Sequence, residues 1–285
     1  MAAHPAAAGI VTRSWLGANR YLIARRAVQL GILALFLLGP LAGVWIVKGN
    51  LSSSLTLGVL PLSDPFVLAQ TMAAGHWPEA TALAGAGIVA VFYFLVSGRS
   101  YCAWVCPVNM VTDAAAWLRD RLGIPQGRTP RKGLRFWLLG AVLLVAAATG
   151  TAAWEFVNPV SMTHRAIIFG AGLAWLVVAA VFLFDLVVAR RGWCSHVCPM
   201  GAFYSLLGRG SPLKVSAARR EACDDCGDCF RVCPEPEVIS PALKPKHGEG
   251  PVIASSQCTN CGRCLDVCTR DVFRFTIRIH PRSAP

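Results

Sequence analysis

Four long stretches of this chain carry no charged side chain: Ala27 to Val47, Ala80 to Gly98, Phe136 to Trp154 and Ala166 to Phe184. Each is 19 to 21 residues long, close to the ~20 residues with which an α-helix crosses a hydrocarbon core about 30 Å thick. Lipid offers the backbone no hydrogen bonds, so stretches of this length predict membrane-spanning helices, and the short alternating pattern of a β-barrel is missing. The composition agrees, with 55% hydrophobic and 15% charged residues, outside the range of ordinary soluble domains. The first stretch runs into KGNLSSS with no small-x-small cleavage site, so it reads as a permanent helix, bent at Pro40, where the ring removes a backbone donor.

Arginine and lysine set the expected orientation. Arg13, Arg20, Arg25 and Arg26 precede or begin the first stretch, and Arg99, Arg119, Arg121, Arg128, Arg131, Lys132 and Arg135 lie between the second and third. The other two loops hold one basic residue each, Lys48 and Arg165. The positive-inside rule then predicts that the amino terminus, the middle loop and the carboxyl terminus are cytoplasmic. The net charge of +12 is explained by this topology. Residues 221–285 carry eight basic and nine acidic side chains, which argues against a nucleic-acid surface.

The two halves repeat one another. Each has a basic flank, an outward span, an outer loop with Asp64-Pro65 or Asn158-Pro159, an inward span and a Cys-x-x-x-Cys-Pro motif, at 102–107 and 194–199. Arg99 aligns with Arg191, Tyr101 with Trp193, Cys102 with Cys194 and Cys106 with Cys198. With an even number of spans per half, the repeats share one orientation about a pseudo-twofold axis along the membrane normal, which brings both motifs to the cytoplasmic side. If each motif stays helical, cysteines four apart lie on one face. Three readings of Cys102, Cys106, Cys194 and Cys198 stay open: ligation of a metal, cycling between dithiol and disulfide, and packing as small apolar side chains.

The carboxyl-terminal segment contains C-x2-C-x2-C-x3-C twice, as Cys223, Cys226, Cys229, Cys233 and Cys258, Cys261, Cys264, Cys268. This is the bacterial ferredoxin spacing, in which the fourth cysteine of each run ligates the other cluster. It predicts two [4Fe-4S] clusters, one on Cys223, Cys226, Cys229 and Cys268, the other on Cys258, Cys261, Cys264 and Cys233. Structural zinc favours separated cysteine pairs, and disulfides do not suit a reducing compartment. The second run lacks the proline that follows Cys233. With no GxGxxG or P-loop, the chain reads as a one-electron relay. The expected architecture is an all-α polytopic membrane domain of four transmembrane helices with a two-fold internal repeat, plus a small α+β ferredoxin-like domain. Its parts are a basic terminus (1–26), the membrane domain (27–207), a linker (208–220) and the ferredoxin-like domain (221–285).

The stretches GPLAGVWIVKGNLSSSL, PLSDPF, CAWVCPVNMVTDAAAWLR, WEFVNPVS, FLFDLVVARRGWCSHVCPMGAFY and DCFRVCPEPEV resemble the NapH/MauN family across nearly the whole chain. The likeness points above all to NapH, the membrane ferredoxin-type quinol dehydrogenase component of periplasmic nitrate reductase systems. That resemblance implies a protein of the bacterial inner membrane that takes electrons from quinol. It would pass them, with a NapG-like periplasmic iron-sulfur protein and a NapC-like multihaem cytochrome, toward a nitrate reductase, and its CxxxCP motifs would meet those partners. The alternative is a membrane ferredoxin that serves as maturation factor, or as metal or disulfide reductase, for another redox enzyme. Quinol oxidation needs an amphipathic pocket with a proton acceptor, for which the sequence offers Asp64, His76, Glu155, His164 and Asp185. Each has a structural reading as well: turn formation for Asp64, solvated loops for the histidines, pairing with Arg190 or Arg191 for Asp185. Trp45, Trp77, Trp154 and Tyr101 read as interfacial anchors.

Overall fold

The computed structural model describes residues 14–125, 127, 130–170, 172–245 and 250–277. Arg13 and Arg128 of the basic flanks, and the tail from 278, lie outside the described residues.

The first apolar stretch forms the helix Arg20–Ala42, which among the described residues is the one helix long and apolar enough to cross a membrane. It ends soon after Pro40, at Gly43, whose φ of 71° few other residues tolerate. The remaining predicted stretches hold shorter apolar helices: Ala80–Val96, Leu134–Thr149 and Gly172–Leu183, the last continued by the π-helical turn Phe184–Val188. Residues 166–169, expected in the fourth span, belong instead to a separate helix, Pro159–Phe169, closed by Gly170 at φ 61°. An N-terminal cap and a left-handed glycine set its limits, and hydropathy alone does not register either.

The segment expected as the first outer loop is not irregular. Val47–Gly49, Ser53–Thr56 and Leu60–Ser63 form an antiparallel meander with Ser54 opposite Leu62. Pairing its own backbone satisfies the polar groups of this segment where it packs against its neighbours. Its third strand lies on the Ala80–Val96 helix so closely that a Cβ on Gly85 would come 2.7 Å from the Pro61 carbonyl. Asp64 then caps the helix Pro65–Ala73 by accepting from the Phe66 N–H, and Asn158 caps Pro159–Phe169 by accepting from the Val160 N–H. Both helices take proline at their first position, where no amide hydrogen is needed. Phe66, Tyr93, Tyr101, Leu139, Val181 and Tyr204 anchor one core across both halves.

In the carboxyl-terminal region Leu213–Ser216 pairs antiparallel with Arg274–Ile277, so the sheet takes in part of the stretch read as a linker. Between these strands lie two short helices, Asp228–Val232 and Arg263–Val267, packed together over a second core containing Val215, Ile239, Ile253, Leu265 and Phe273.

Candidate metal centres

Each ferredoxin-type run curls through a left-handed glycine, Gly227 at φ 78° and Gly262 at φ 75°, directly before its short helix. The fourth cysteine follows that helix in extended conformation, so it leaves its own run and reaches across. Cys223, Cys226, Cys229 and Cys268 consequently line one cavity of about 70 Å³. Cys233, Cys258, Cys261 and Cys264 line another of about 20 Å³. The Asp225 N–H donates to Cys223 Sγ at 3.4 Å and the Val272 N–H to Cys268 Sγ at 3.5 Å, the type of contact that stabilises thiolate ligands of iron. Burial raises the Cys261 thiol, but the Arg263 and Arg25 guanidiniums outweigh it and hold Cys261 below its ordinary value. All twelve cysteines are free of disulfides. Among the described residues, no three His, Cys, Asp or Glu side chains gather tightly enough to grip a single ion. Two cavities each ringed by four thiols fit [4Fe-4S] clusters, which hold their ligands farther apart than one zinc ion does.

The repeated motifs do not continue as α-helices. Ser100–Trp104 is helical but stops before Cys106, and Trp193–Val197 is a π-helical turn ending at Cys198. In both, the second cysteine's N–H reaches the carbonyl five residues back: Cys106 to Tyr101 at 3.0 Å, Cys198 to Trp193 at 2.9 Å. The physical reason is proline, which disfavours helical conformation in the residue before it. The expectation of one helical face is therefore corrected, yet the thiols still meet. Cys102, Cys106, Cys194 and Cys198 line a third cavity, of about 20 Å³, walled by Tyr101, Val108, Val160, Trp193 and Met200. Burial pushes all four thiols up, Cys198 to about 11. Gln29, a fully buried amide within the first apolar helix, donates to the carbonyls of Ala103 and Cys106 and seats that helix against the motif.

The paired arginines join this layer to the ferredoxin-like region. Arg99, 1% exposed, donates to Glu235 at 2.6 Å, to the Gln257 carbonyl at 2.9 Å and to the Cys194 carbonyl at 3.0 Å. Arg135 binds the same Glu235 oxygen at 2.9 Å. Burial alone would raise Glu235, but these guanidiniums hold it at about 2. Arg191 donates to the Val232 carbonyl and to Asp113, which also meets Arg25, Arg26 and Arg263.

Of the five acid-base candidates, Asp64 alone lines a large apolar cavity. This pocket, about 470 Å³, is bounded by Phe36, Phe92, Tyr93, Tyr101 and Tyr204 among others. Asp64 Oδ1 accepts from the Phe66 N–H at 2.8 Å and from the Tyr204 hydroxyl at 3.3 Å, while buried Oδ2 has no partner. Burial, reinforced by the Glu155 carboxylate and opposed by the Phe66 N–H, pushes Asp64 up to about 7. The other candidates lie elsewhere. Exposed His76 contacts the Gly150 carbonyl, and Glu155 is held by Ser52, Asn158 and Ser161. Buried His164 stands edge-on to Phe36. Asp185 accepts from the Trp193 N–H beneath the second motif and is raised by burial to about 7. Its expected partners bind elsewhere, Arg190 to Asp120 and Arg191 to Asp113.

Three side chains depart from the expectations drawn from sequence. Tyr101 is no interfacial anchor; it is 4% exposed and stacks on Tyr204 with ring centroids 4.7 Å apart. Tyr204 falls opposite Thr112 in the repeat alignment, so the duplication does not mark it, and its pairing with Asp64 joins residues 140 positions apart. Glu235 was legible in principle, as an acid inside CPEP next to a ligand cysteine.

A family model described as "4Fe-4S binding domain" matches residues 80–125 and again 171–216, and one described as "4Fe-4S dicluster domain" matches 222–272. The chain is 55% identical over 271 residues to the methylamine utilization ferredoxin-type protein MauN of Paracoccus denitrificans, covering 94% of each chain. It is 46% identical over 281 residues to the ferredoxin-type protein NapH of Haemophilus influenzae, covering 98% of each. This chain belongs to the NapH/MauN family of ferredoxin-type proteins. Likeness to MauN of Methylorubrum extorquens is 50% over 273 residues, covering 95% of this chain and 94% of that one. No solved structure matches. As a member of this family, it is an iron-sulfur electron-transfer protein.

Proposed function

We propose that the chain is the quinol-oxidising component of a membrane electron-transfer complex, a multi-pass protein of the bacterial inner membrane with both termini cytoplasmic. The observation that carries this reading is the buried Asp64 carboxylate in an apolar pocket that shares Tyr101 with the four-cysteine cavity. Oxidation of a quinol to a quinone releases two electrons and two protons, so it needs an apolar slot for the ring and a proton acceptor beside it. Phe36, Phe92 and Tyr93 supply the slot, and Asp64 Oδ2 has no other hydrogen-bond partner to compete for the proton. A base with a pKa near the working pH balances proton affinity against the fraction ionised. The Tyr204 hydroxyl orients the carboxylate. Clusters held by the eight ferredoxin-type cysteines supply one-electron carriage. The buried Arg99–Glu235 pair fixes their domain against the motif layer.

The electrons then leave toward a periplasmic nitrate reductase, through a NapG-like iron-sulfur protein and a NapC-like cytochrome. A second destination is another redox enzyme that receives the electrons during its maturation, and relatives at 55% and 50% identity are named for methylamine utilization rather than for nitrate reduction. Both destinations use the same quinol step. The test is to add a reduced quinol analogue, without oxygen, to the whole protein in membranes and follow the clusters by visible bleaching and EPR. Reduction that depends on Asp64 supports the reading, and absence of reduction at every pH overturns it. If quinol oxidation is normal in cells whose target enzyme is inactive, the maturation role stands.

A further inference from the structure

We propose that Cys102, Cys106, Cys194 and Cys198 together hold one cubane iron-sulfur cluster, shared between the two halves of the chain. Each half supplies only two thiols, so the segments 80–125 and 171–216, matched separately, each carry half of a four-thiolate ligand set. The fold joins the halves. All four cysteines line one cavity, and no other ionisable side chain apart from Tyr101 lines it.

The ferredoxin-like region provides the calibration. The cavity ringed by Cys233, Cys258, Cys261 and Cys264 has a volume of about 20 Å³, and the one ringed by the motif cysteines has the same. The motif cavity is thus a four-cysteine site like the two of the ferredoxin-like region, whose volumes are about 20 and 70 Å³. The local backbone suits the role. The wide turn before each proline leaves Cys106 and Cys198 just ahead of the helices Val108–Arg121 and Pro199–Leu207, so both second cysteines stand at a helix start beside the shared cavity. Val108, Val160, Trp193 and Met200 keep water out. Arg99, bonded to the Cys194 carbonyl, sets a positive charge beside a cage that gains net negative charge when its thiols bind iron.

The competing readings fit less well. A single zinc ion draws four sulfurs to about 2.3 Å from one centre, and no group of three or more ligands is gathered so tightly among the described residues. Simple packing does not explain four thiols converging from two repeats on one cavity, since well-packed cores close such voids.

This inference does not depend on quinol, because occupancy is measured on the protein at rest. The whole chain, purified without oxygen in detergent, is assayed for iron, acid-labile sulfide and zinc. A third cubane predicts about twelve irons and twelve sulfides per chain, against about eight for the ferredoxin motif alone. The paired variant Cys106→Ala with Cys194→Ala, one change per half, should lose about four of each while keeping the EPR signals of the ferredoxin-type clusters. A wild-type content of about eight irons, stoichiometric zinc, or an unchanged iron content in the variant would overturn the proposal. Should the variant lose all its iron, the wild-type count, with Mössbauer areas for three cubanes against two, decides alone.

Discussion

The two halves of the chain start from one plan and diverge where chemistry is at stake. Asp64 and Asn158 sit at matching caps, each before proline and each accepting from the amide two residues on. The amide also has donors, and Asn158 Nδ2 donates to Glu155 at 2.8 Å, which closes the second half. The carboxylate has none. Its outer oxygen stays without a hydrogen-bond partner in an apolar pocket, and burial raises its proton affinity. The motif arginines diverge likewise: Arg99 is committed to Glu235, whereas Arg191 joins Asp113 in a wider group of arginines. A duplicated scaffold can thus hold thiols symmetrically while its two caps differ, a carboxylate facing the apolar pocket in one half and a satisfied amide in the other.

Exchanging the two caps should break this asymmetry most sharply. Asp64→Asn gives the first half the second half's amide, and quinol-driven cluster reduction should fall by about 10²–10⁴-fold, the usual worth of a general base. Asn158→Asp should change that rate far less. Stopped-flow bleaching measures both. Equal losses would remove the distinction between the halves.

Arginine exchange comes next. Arg99→Gln leaves Glu235 buried with one guanidinium fewer, and breaking a buried pair from one side costs about 3–5 kcal/mol. Arg191→Gln should cost less, because Asp113 keeps Arg26 and Arg263. Denaturant or thermal unfolding, with protease release of the ferredoxin-like region, compares them.

The pH dependence sharpens the same contrast. Asp64 must be ionised to accept a proton, so the reduction rate should rise with pH through about 7 and then level off, and this limb should vanish in Asp64→Asn. Linkage has the opposite sign. The fold binds this proton up to about 7 while the unfolded chain releases it near 3.8, so the Asp64 contribution to stability falls as pH rises between those values and is constant above.

The smallest effect is expected from Tyr204→Phe. It removes one hydrogen bond to Asp64, worth about 1 kcal/mol, and should move the pH limb upward, since the donated bond favours the ionised form. A limb that stays in place would show that Tyr204 only packs.

Much of the molecule was written locally. The apolar stretches, the left-handed Gly227 and Gly262, the proline-led caps and the spacing of the cysteine runs follow from side-chain chemistry within a few residues. Their lengths and ends were read less well. Glycine turns at Gly43 and Gly170 cut helices that hydropathy runs through. The apolar pocket around Asp64 was only partly legible: Asp64 is one of five acid-base candidates that nothing in the sequence ranks.

Sequence by itself determined the ligand chemistry: how many thiols there are, their spacing, and the repetition of CxxxCP. Tertiary structure alone decided that residues 47–63 pair into a meander packed on the Ala80–Val96 helix, that Asp64 meets Tyr204 across 140 positions, and that four cysteines from two halves face one cavity. The reason is physical. Spacing along the chain governs bonds within a turn, whereas a carboxylate's proton affinity and the size of a thiol cage depend on what packs around them from distant segments.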